Sequence, residues 1–195
     1  DTLTVRSESE GGDQGHTVSS YDGNGRKLGS ATVDGCVDES KAVSAMEGEL
    51  LGPLVDQVAT DFKLNQSALL CYGEEGSGRE EALLGSDALV MASANRILAN
   101  APPGSALNLS ATLIAMELLI DLFSPEANVT INETQFSGLH LDGGEWKKLG
   151  SAAEVSPLLA QINQSRADVM SKMDLGLSAR SVLIIGLRLA PASTP

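Results

Sequence analysis

The sequence predicts a layered α/β fold, and two features carry that expectation. Short apolar runs that read as buried strands, Ala68–Tyr72 and Val182–Leu189, alternate with segments whose apolar residues recur at helical spacing. The first of these runs leads straight into the glycine-rich string Gly73-Glu-Glu-Gly-Ser-Gly-Arg-Glu80. That string keeps the spacing of a phosphate-binding loop, Gly73, four residues, then Gly78, but continues with Arg79 and Glu80 where such a loop carries Lys and then Ser or Thr.

Residues 7–30 are rich in Gly, Ser, Asp and Asn and read as loop or strand edge, with a turn at Asp22-Gly-Asn-Gly25. A first helix is expected from Glu39 to Phe62, because Leu50, Leu54, Val58 and Phe62 recur every four residues with Leu51 and Val55 beside them. Pro53 kinks that helix or marks a junction. Ala68–Tyr72 reads as a buried strand of the parallel-sheet kind. A helix follows the loop from Arg79 to Ala99, broken at Gly85-Ser86. The apolar stretch Leu109–Phe123 fits strand or helix equally, and Asn128–Ile131 and Gly138–Asp142 read as short strands. Ser151-Ala-Ala-Glu154 is a capping box ahead of a helix with Val155, Leu158, Leu159 and Ile162 on one face. Val182–Leu189 is the second buried strand, and residues 190–195 read as a tail on a single domain of 195 residues.

Composition sets outer limits. The 195 residues suffice for a sizeable core, and 42% hydrophobic residues with only 3% aromatics require that core to be aliphatic. A net charge of −13, with Lys and Arg scattered, makes nucleic acid and anionic membrane surfaces poor partners. No run of about 18 apolar residues predicts a membrane span, since Glu117 and Asp121 interrupt the nearest candidate. Cys36 and Cys71 form neither a disulfide framework nor a zinc site, and Cys71 is expected as a buried free thiol. The opening residues carry no signal peptide, so the sequons at Asn65, Asn108, Asn128, Asn132 and Asn163 are read as chance occurrences.

The order of segments around the loop resembles a kinesin motor domain. The family's phosphate loop reads Tyr-Gly-Gln-Thr-Gly-Ser-Gly-Lys-Thr, and Tyr72, Gly73, Gly76, Ser77 and Gly78 match it. Val33-Asp34-Gly-Cys-Val37 is similar to the family's Phe-Asp-x-Val-Phe, and Gly52-Pro-Leu-Val-Asp-Gln-Val58 to its first helix. Downstream, Ser110, Ile114, Glu117, Asp121 and Leu122 agree with Val-Ser-x-Leu-Glu-Ile-Tyr-Asn-Glu-x-Ile-x-Asp-Leu-Leu. Gly138–Gly143 resembles the family's Gly-Val-x-Val-x-Gly strand, and Ser151–Val155 the start of its third helix. Ser178-Ala-Arg-Ser-Val182 resembles the nucleotide-sensing Ser-Ser-Arg-Ser-His. The resemblance covers about residues 33–189 and implies a P-loop α/β fold with a mixed central sheet flanked by helices. That fold is incomplete relative to a full motor domain, because the family's Arg-x-Arg-Pro strand and its Asp-x-x-Gly-Ser-Glu segment have no counterpart here.

The same resemblance shows what has changed. In the family the loop Lys reaches the β- and γ-phosphates and the Thr hydroxyl holds magnesium. Arg79 keeps the charge in a different shape, and Glu80 puts an acid where a small hydroxyl belongs. Glu74, Glu75 and Glu80 against Arg79 leave the loop at −2, whereas the family's residues give +1. Two unit charges 4 Å apart interact by about 1 kcal/mol in water and about 4 kcal/mol at an effective dielectric near 20, so the loop repels phosphate. Ala179 and Val182 replace the sensing loop's Ser and His, one extra residue lies between Met173 and Ser178, and Asp174 stands near the family's Asn.

These residues lead to a pseudomotor expectation. The degenerate nucleotide site comprises Gly73, Gly76, Ser77, Gly78, Arg79, Ser178, Arg180 and Ser181, with no catalytic residue and no metal ligand. No cofactor is expected, and any ATP–magnesium binding is weak. The chain is expected to act in the cytoplasm as a structural or protein-interaction module of the microtubule cytoskeleton. It would pair with a protein partner or with itself, since open strand edges are a liability, and reach microtubules indirectly. One alternative is a fragment of an ATP-dependent microtubule motor; another, resting on the sequons alone, is a secreted glycoprotein domain. His16 and His140 are too isolated for a metal cluster or triad, with His140 read as a solvent-facing strand residue. Glu117 and Asp121 read as an exposed acidic face, and Met170 and Met173 as helix packing.

Overall fold

A computed structural model describes residues 4–9, 16–36, 51–61, 66–72, 77–85, 88–135, 138–173 and 181–191. The chain forms two compact units, Asp1–Met46 and Glu47–Pro195.

The first unit is a three-stranded antiparallel sheet of β1 (Thr4–Ser9), β2 (His16–Tyr21) and β3 (Lys27–Val33), in the order β1-β2-β3. Of the two readings open for residues 7–30, loop or strand edge, the described residues take strands joined by the Asp22 turn. The Ser- and Thr-rich strands carry too few apolar residues to announce themselves, and β3 is exposed along almost its whole length. The turn at Asp22 is as expected. The Asp22 carboxylate accepts from the backbone N–H of Asn24 at 2.9 Å and of Arg26 at 2.8 Å, an Asx-type closure.

The second unit is built on β4 (Ala106–Ala115). One edge of β4 pairs along its full length with β9 (Ser181–Ala190), from Ala106 opposite Ala190 to Ala115 opposite Ser181. The other edge is shared by β8 (Lys147–Leu149) and β5 (Leu118–Asp121). A separate hairpin joins β6 (Thr130–Thr134) to β7 (Gly138–Asp142), where His140 is half-buried rather than solvent-facing. Every ladder among the described residues is antiparallel.

The stretch Leu109–Phe123 is a hairpin. Its turn is Met116-Glu117, with Met116 at φ 55°, and lacks the Asn or Gly that normally signals a two-residue turn. That absence made the segment ambiguous in sequence. Alternate residues of β4, Leu107, Leu109, Ala111 and Leu113, are buried against helices. The helices are α3 (Leu89–Asn100), which contributes Val90, Ala94 and Ile97, and α4 (Val155–Lys172), which contributes Val155, Leu159 and Ile162. Leu84, Leu122 and Leu149 complete the centre of this aliphatic core, and Met170 packs at its margin.

Helix α1 runs only from Gly52 to Thr60 among the described residues, and Pro53 sits in its first turn rather than at a kink. Proline is well suited there because its missing N–H would have no partner. Leu51 and Asp61 cap α1, and residues 39–50 and 62 of the expected Glu39–Phe62 helix lie outside the described residues. The break at Gly85 is as expected, separating α2 (Arg79–Leu84) from α3. Ser151 opens a short 3-10 turn, and the Glu154 carboxylate reaches back to the Gly150 N–H at 3.0 Å, one residue earlier than the capping box implies.

Three expectations are corrected. Ala68–Tyr72 is not a strand: it makes no ladder with any described strand, and Leu70 and Tyr72 are 81% and 92% exposed. An apolar run becomes a strand only where a neighbour supplies hydrogen bonds. Val182–Leu189 is a strand, but it lies at the edge of the sheet among the described strands, with Val182 and Ile184 exposed and only Leu189 buried. Its outward face opens with Val182 and Ile184 and turns polar only at Arg188, so its first half reads in sequence like a strand buried on both faces. Asp121 does not belong to an exposed acidic face. It is 1% exposed and accepts from the backbone N–H groups of Phe123 at 2.7 Å, Ser124 at 3.2 Å and Glu145. Three backbone donors compensate the burial of its charge.

Candidate functional site

Gly73, Gly76, Ser178 and Arg180 lie outside the described residues. Ser77, Gly78, Arg79 and Ser181 are described, and the structure divides them. Ser77 and Gly78 are exposed ahead of α2. Gly78 caps α2 with φ 85°, and its carbonyl accepts from the Ala82 N–H at 2.9 Å. Among the described residues nothing lies within 4 Å of where a Cβ would stand, so there the left-handed backbone rather than crowding favours glycine.

Arg79 and Ser181 line a common cleft of about 370 Å³. Its walls are the extended segment Leu69–Tyr72, the first turns of α2, the start of β9, and Arg166 from α4. Arg166 is the residue that sequence reasoning missed. It lies 86 positions from Glu80, and one basic residue on an amphipathic helix signals only solvation.

In the structure, Arg166 Nη2 donates to Glu80 Oε1 at 2.6 Å. The bond holds the Glu80 carboxyl below its ordinary range; partial burial opposes this, and the charges of Arg166 and then Arg79 assist it. Glu80 therefore does not stand as a lone acid over the loop but is tied to α4. Arg166 Nε, by contrast, is buried without an acceptor. Elsewhere the same chemistry is complete: Arg96 donates to Asp56 through both Nε and Nη2, each at 2.7 Å, and Asn100 adds a third bond at 3.0 Å.

Cys71 also lines the cleft and is half-buried; burial pushes its thiol pKa up, which slows but does not prevent its reaction with alkylating reagents. Among the described residues no group of His, Cys, Asp and Glu could hold a metal ion. No described helix is long and apolar enough to cross a membrane. The sequon residue Asn108 sits in β4 with its amide donating to the carbonyls of Ala106 and Arg188, each at 3.3 Å.

A β4-centred sheet with helices packed on it, a glycine-capped helix after an extended apolar run, and a further helix leading into the edge strand define the class: the fold is that of a kinesin motor domain. The match to solved structures covers nearly the whole chain. It superposes on a fast kinesin, studied for its ATPase mechanism and interactions with microtubules, with TM-score 0.73 and 17% identity over 96% of this chain and 57% of that one. The motor domain of the kinesin-like protein Kar3 from Saccharomyces cerevisiae gives TM-score 0.68 and 20% identity over 96% of this chain and 60% of that one. The Kar3 motor domain from Candida glabrata gives 0.68 and 18% over 98% and 67%. The chain thus spans under two thirds of the length of the first two. No family profile matches the sequence, and no curated protein does.

Proposed function

We propose that this chain is a kinesin-like pseudomotor domain, one that does not hydrolyse ATP and serves as a structural or protein-interaction module of the microtubule cytoskeleton in the cytoplasm. The observation that carries the reading is the Glu80–Arg166 ion pair. At the position where a motor's hydroxyl would meet magnesium, this chain has an acid already engaged by a cation of its own. A carboxylate held ionised beside a phosphate raises the cost of bringing phosphate in. Arg79, a planar fork, is not equivalent to the compact ammonium of a phosphate-loop lysine. Microtubule association then runs through a protein partner, since the chain's net charge of −13 disfavours an acidic surface.

Purified protein with magnesium and ATP should show no turnover above a buffer blank. Magnesium-dependent hydrolysis that Gly78→Ala abolishes would overturn the proposal.

The second reading is a fragment of an ATP-dependent motor, favoured by the share of the matched chains that it spans, 57–67%. It requires nucleotide binding once the sequence is extended. Calorimetry on such an extended chain, with no heat at millimolar ATP, removes it.

A further inference from the structure

The geometry points to the cleft beside Arg166 as a binding site for an apolar chain that ends in a single carboxylate. Four observations place it. The cleft is large enough for a short ligand, about 370 Å³, and much of its wall is hydrocarbon from Leu69, Leu83, Leu84 and Leu183. Its polar end carries the Arg166 guanidinium, bonded to the Glu80 carboxylate, with Arg79 also in the lining. Arg166 is a half-used fork: Nη2 is bonded, while Nε is a buried donor with no acceptor. The Arg96–Asp56 pair shows the completed arrangement, with two oxygens on Nε and Nη2 at 2.7 Å each.

A carboxylate is the planar, two-oxygen acceptor that fits such a fork. Glu80 holds Arg166 through one oxygen and its side chain is 53% exposed. A ligand carboxylate that displaces it gains both donors, while Glu80 turns to water at little cost. The ligand's hydrocarbon then lies against the leucines, as small-molecule sites require. Glu80 is thus a built-in competitor that sets the affinity. The inference goes beyond the pseudomotor reading and does not depend on it.

Two sources share this chemistry, a fatty acid and the C-terminus of a peptide that ends in apolar residues. The test uses octanoate and N-acetyl-leucyl-leucine, with octanol and the dipeptide amide as uncharged controls. Occupancy is read as slowed iodoacetamide alkylation of Cys71, which lines the cleft, relative to Cys36, which is exposed in the other unit. The acids should protect Cys71 and the controls should not; the acid that protects at lower concentration identifies the source. Arg166→Met should abolish protection, and Arg166→Lys, which keeps the charge without the fork, should weaken it. Glu80→Gln should strengthen it several-fold, and this variant keeps the test decisive if Arg166→Met does not fold. Equal protection by acid and alcohol, protection by ATP in place of the acids, or no gain in Glu80→Gln overturns the inference. A negative ATPase result leaves it untouched, so the two proposals fail separately.

Discussion

Glu80 and Arg166 meet at 2.6 Å although 86 residues separate them, and their contact joins the helix that follows the glycine loop to the long helix that leads toward β9. A half-exposed pair of this kind contributes less than about 1 kcal/mol, so its consequence is positional more than energetic. The folded-state pKa of Glu80 is lowered, so its contribution is present above the unfolded carboxylate value of about 4.3 and is lost as pH falls through the lower folded value. Glu80→Gln should therefore melt slightly below wild type at neutral pH and converge with it in acid. Thermal melts at a series of pH values check this, and a gap that widens on acidification would contradict it.

The fork between Asp56 and Arg96 is expected to fasten α1 to α3 more firmly than its partial exposure suggests, because both guanidinium donors are used and Asn100 supports the same carboxylate. The Arg96 hydrogen bond lowers the Asp56 pKa, opposed by desolvation and assisted by the Arg96 charge and the Asn100 bond. Gly52 makes room, since a Cβ there would stand 2.7 Å from Arg96 Nη1. Arg96→Lys keeps the charge but not the fork. It should speed hydrogen exchange of the α1 amides relative to those of β4 at neutral pH. The difference should vanish once acid protonates Asp56. Equal α1 exchange in the two proteins at neutral pH would show that the fork does not hold the helix.

Much of the fold was legible because the core obeys simple periodicity. Val155, Leu159 and Ile162 mark one helical face, and the glycine at 85 ends α2 where expected. What could not be read depends on contacts distant in sequence. Ala68–Tyr72 has the composition of a strand, but strand formation needs a hydrogen-bonded neighbour, which composition does not report. The Met116 turn has no turn residue to announce it. At the candidate site the loop glycines and Arg79 were visible as a pattern, whereas Arg166, which decides what Glu80 can do, has no sequence signature. Asp121 looked like a surface acid because its three partners are backbone groups, and backbone donors leave no trace in a sequence.

Asp121 provides a stability test. Its carboxylate satisfies three backbone donors while almost fully buried. Asp121→Ala removes all three acceptances and leaves buried N–H groups unpaired, at about 1–3 kcal/mol for each group that water cannot reach. The expected loss in urea unfolding is about 2–4 kcal/mol. Asp121→Asn keeps one carbonyl oxygen and should cost less. Equal losses for the two variants would mean that packing, rather than hydrogen bonding, sets the requirement at this position.

Gly78 and Gly143 share a left-handed backbone, φ 85° and 82°, but differ in what surrounds them. Among the described residues a Cβ on Gly78 meets nothing within 4 Å, while one on Gly143 would stand 2.3 Å from the Asn128 carbonyl oxygen. The first site bears only the conformational penalty of an L-residue in that region, about 1–2 kcal/mol. The second adds a clash with a backbone atom, which cannot rotate away as a side chain would. Gly143→Ala must therefore shift the chain between β5 and β6 or the entry to β8. Its unfolding free energy should fall by more than that of Gly78→Ala, by at least about 1 kcal/mol beyond it, the lower bound for overpacking. Because neither Gly143 nor Asn128 is among the described residues that line the cleft, the variant should leave alkylation of Cys71 unchanged in the folded state. Matching losses for the two alanine variants would show that the Asn128 carbonyl yields freely and that backbone conformation alone selects glycine at both positions.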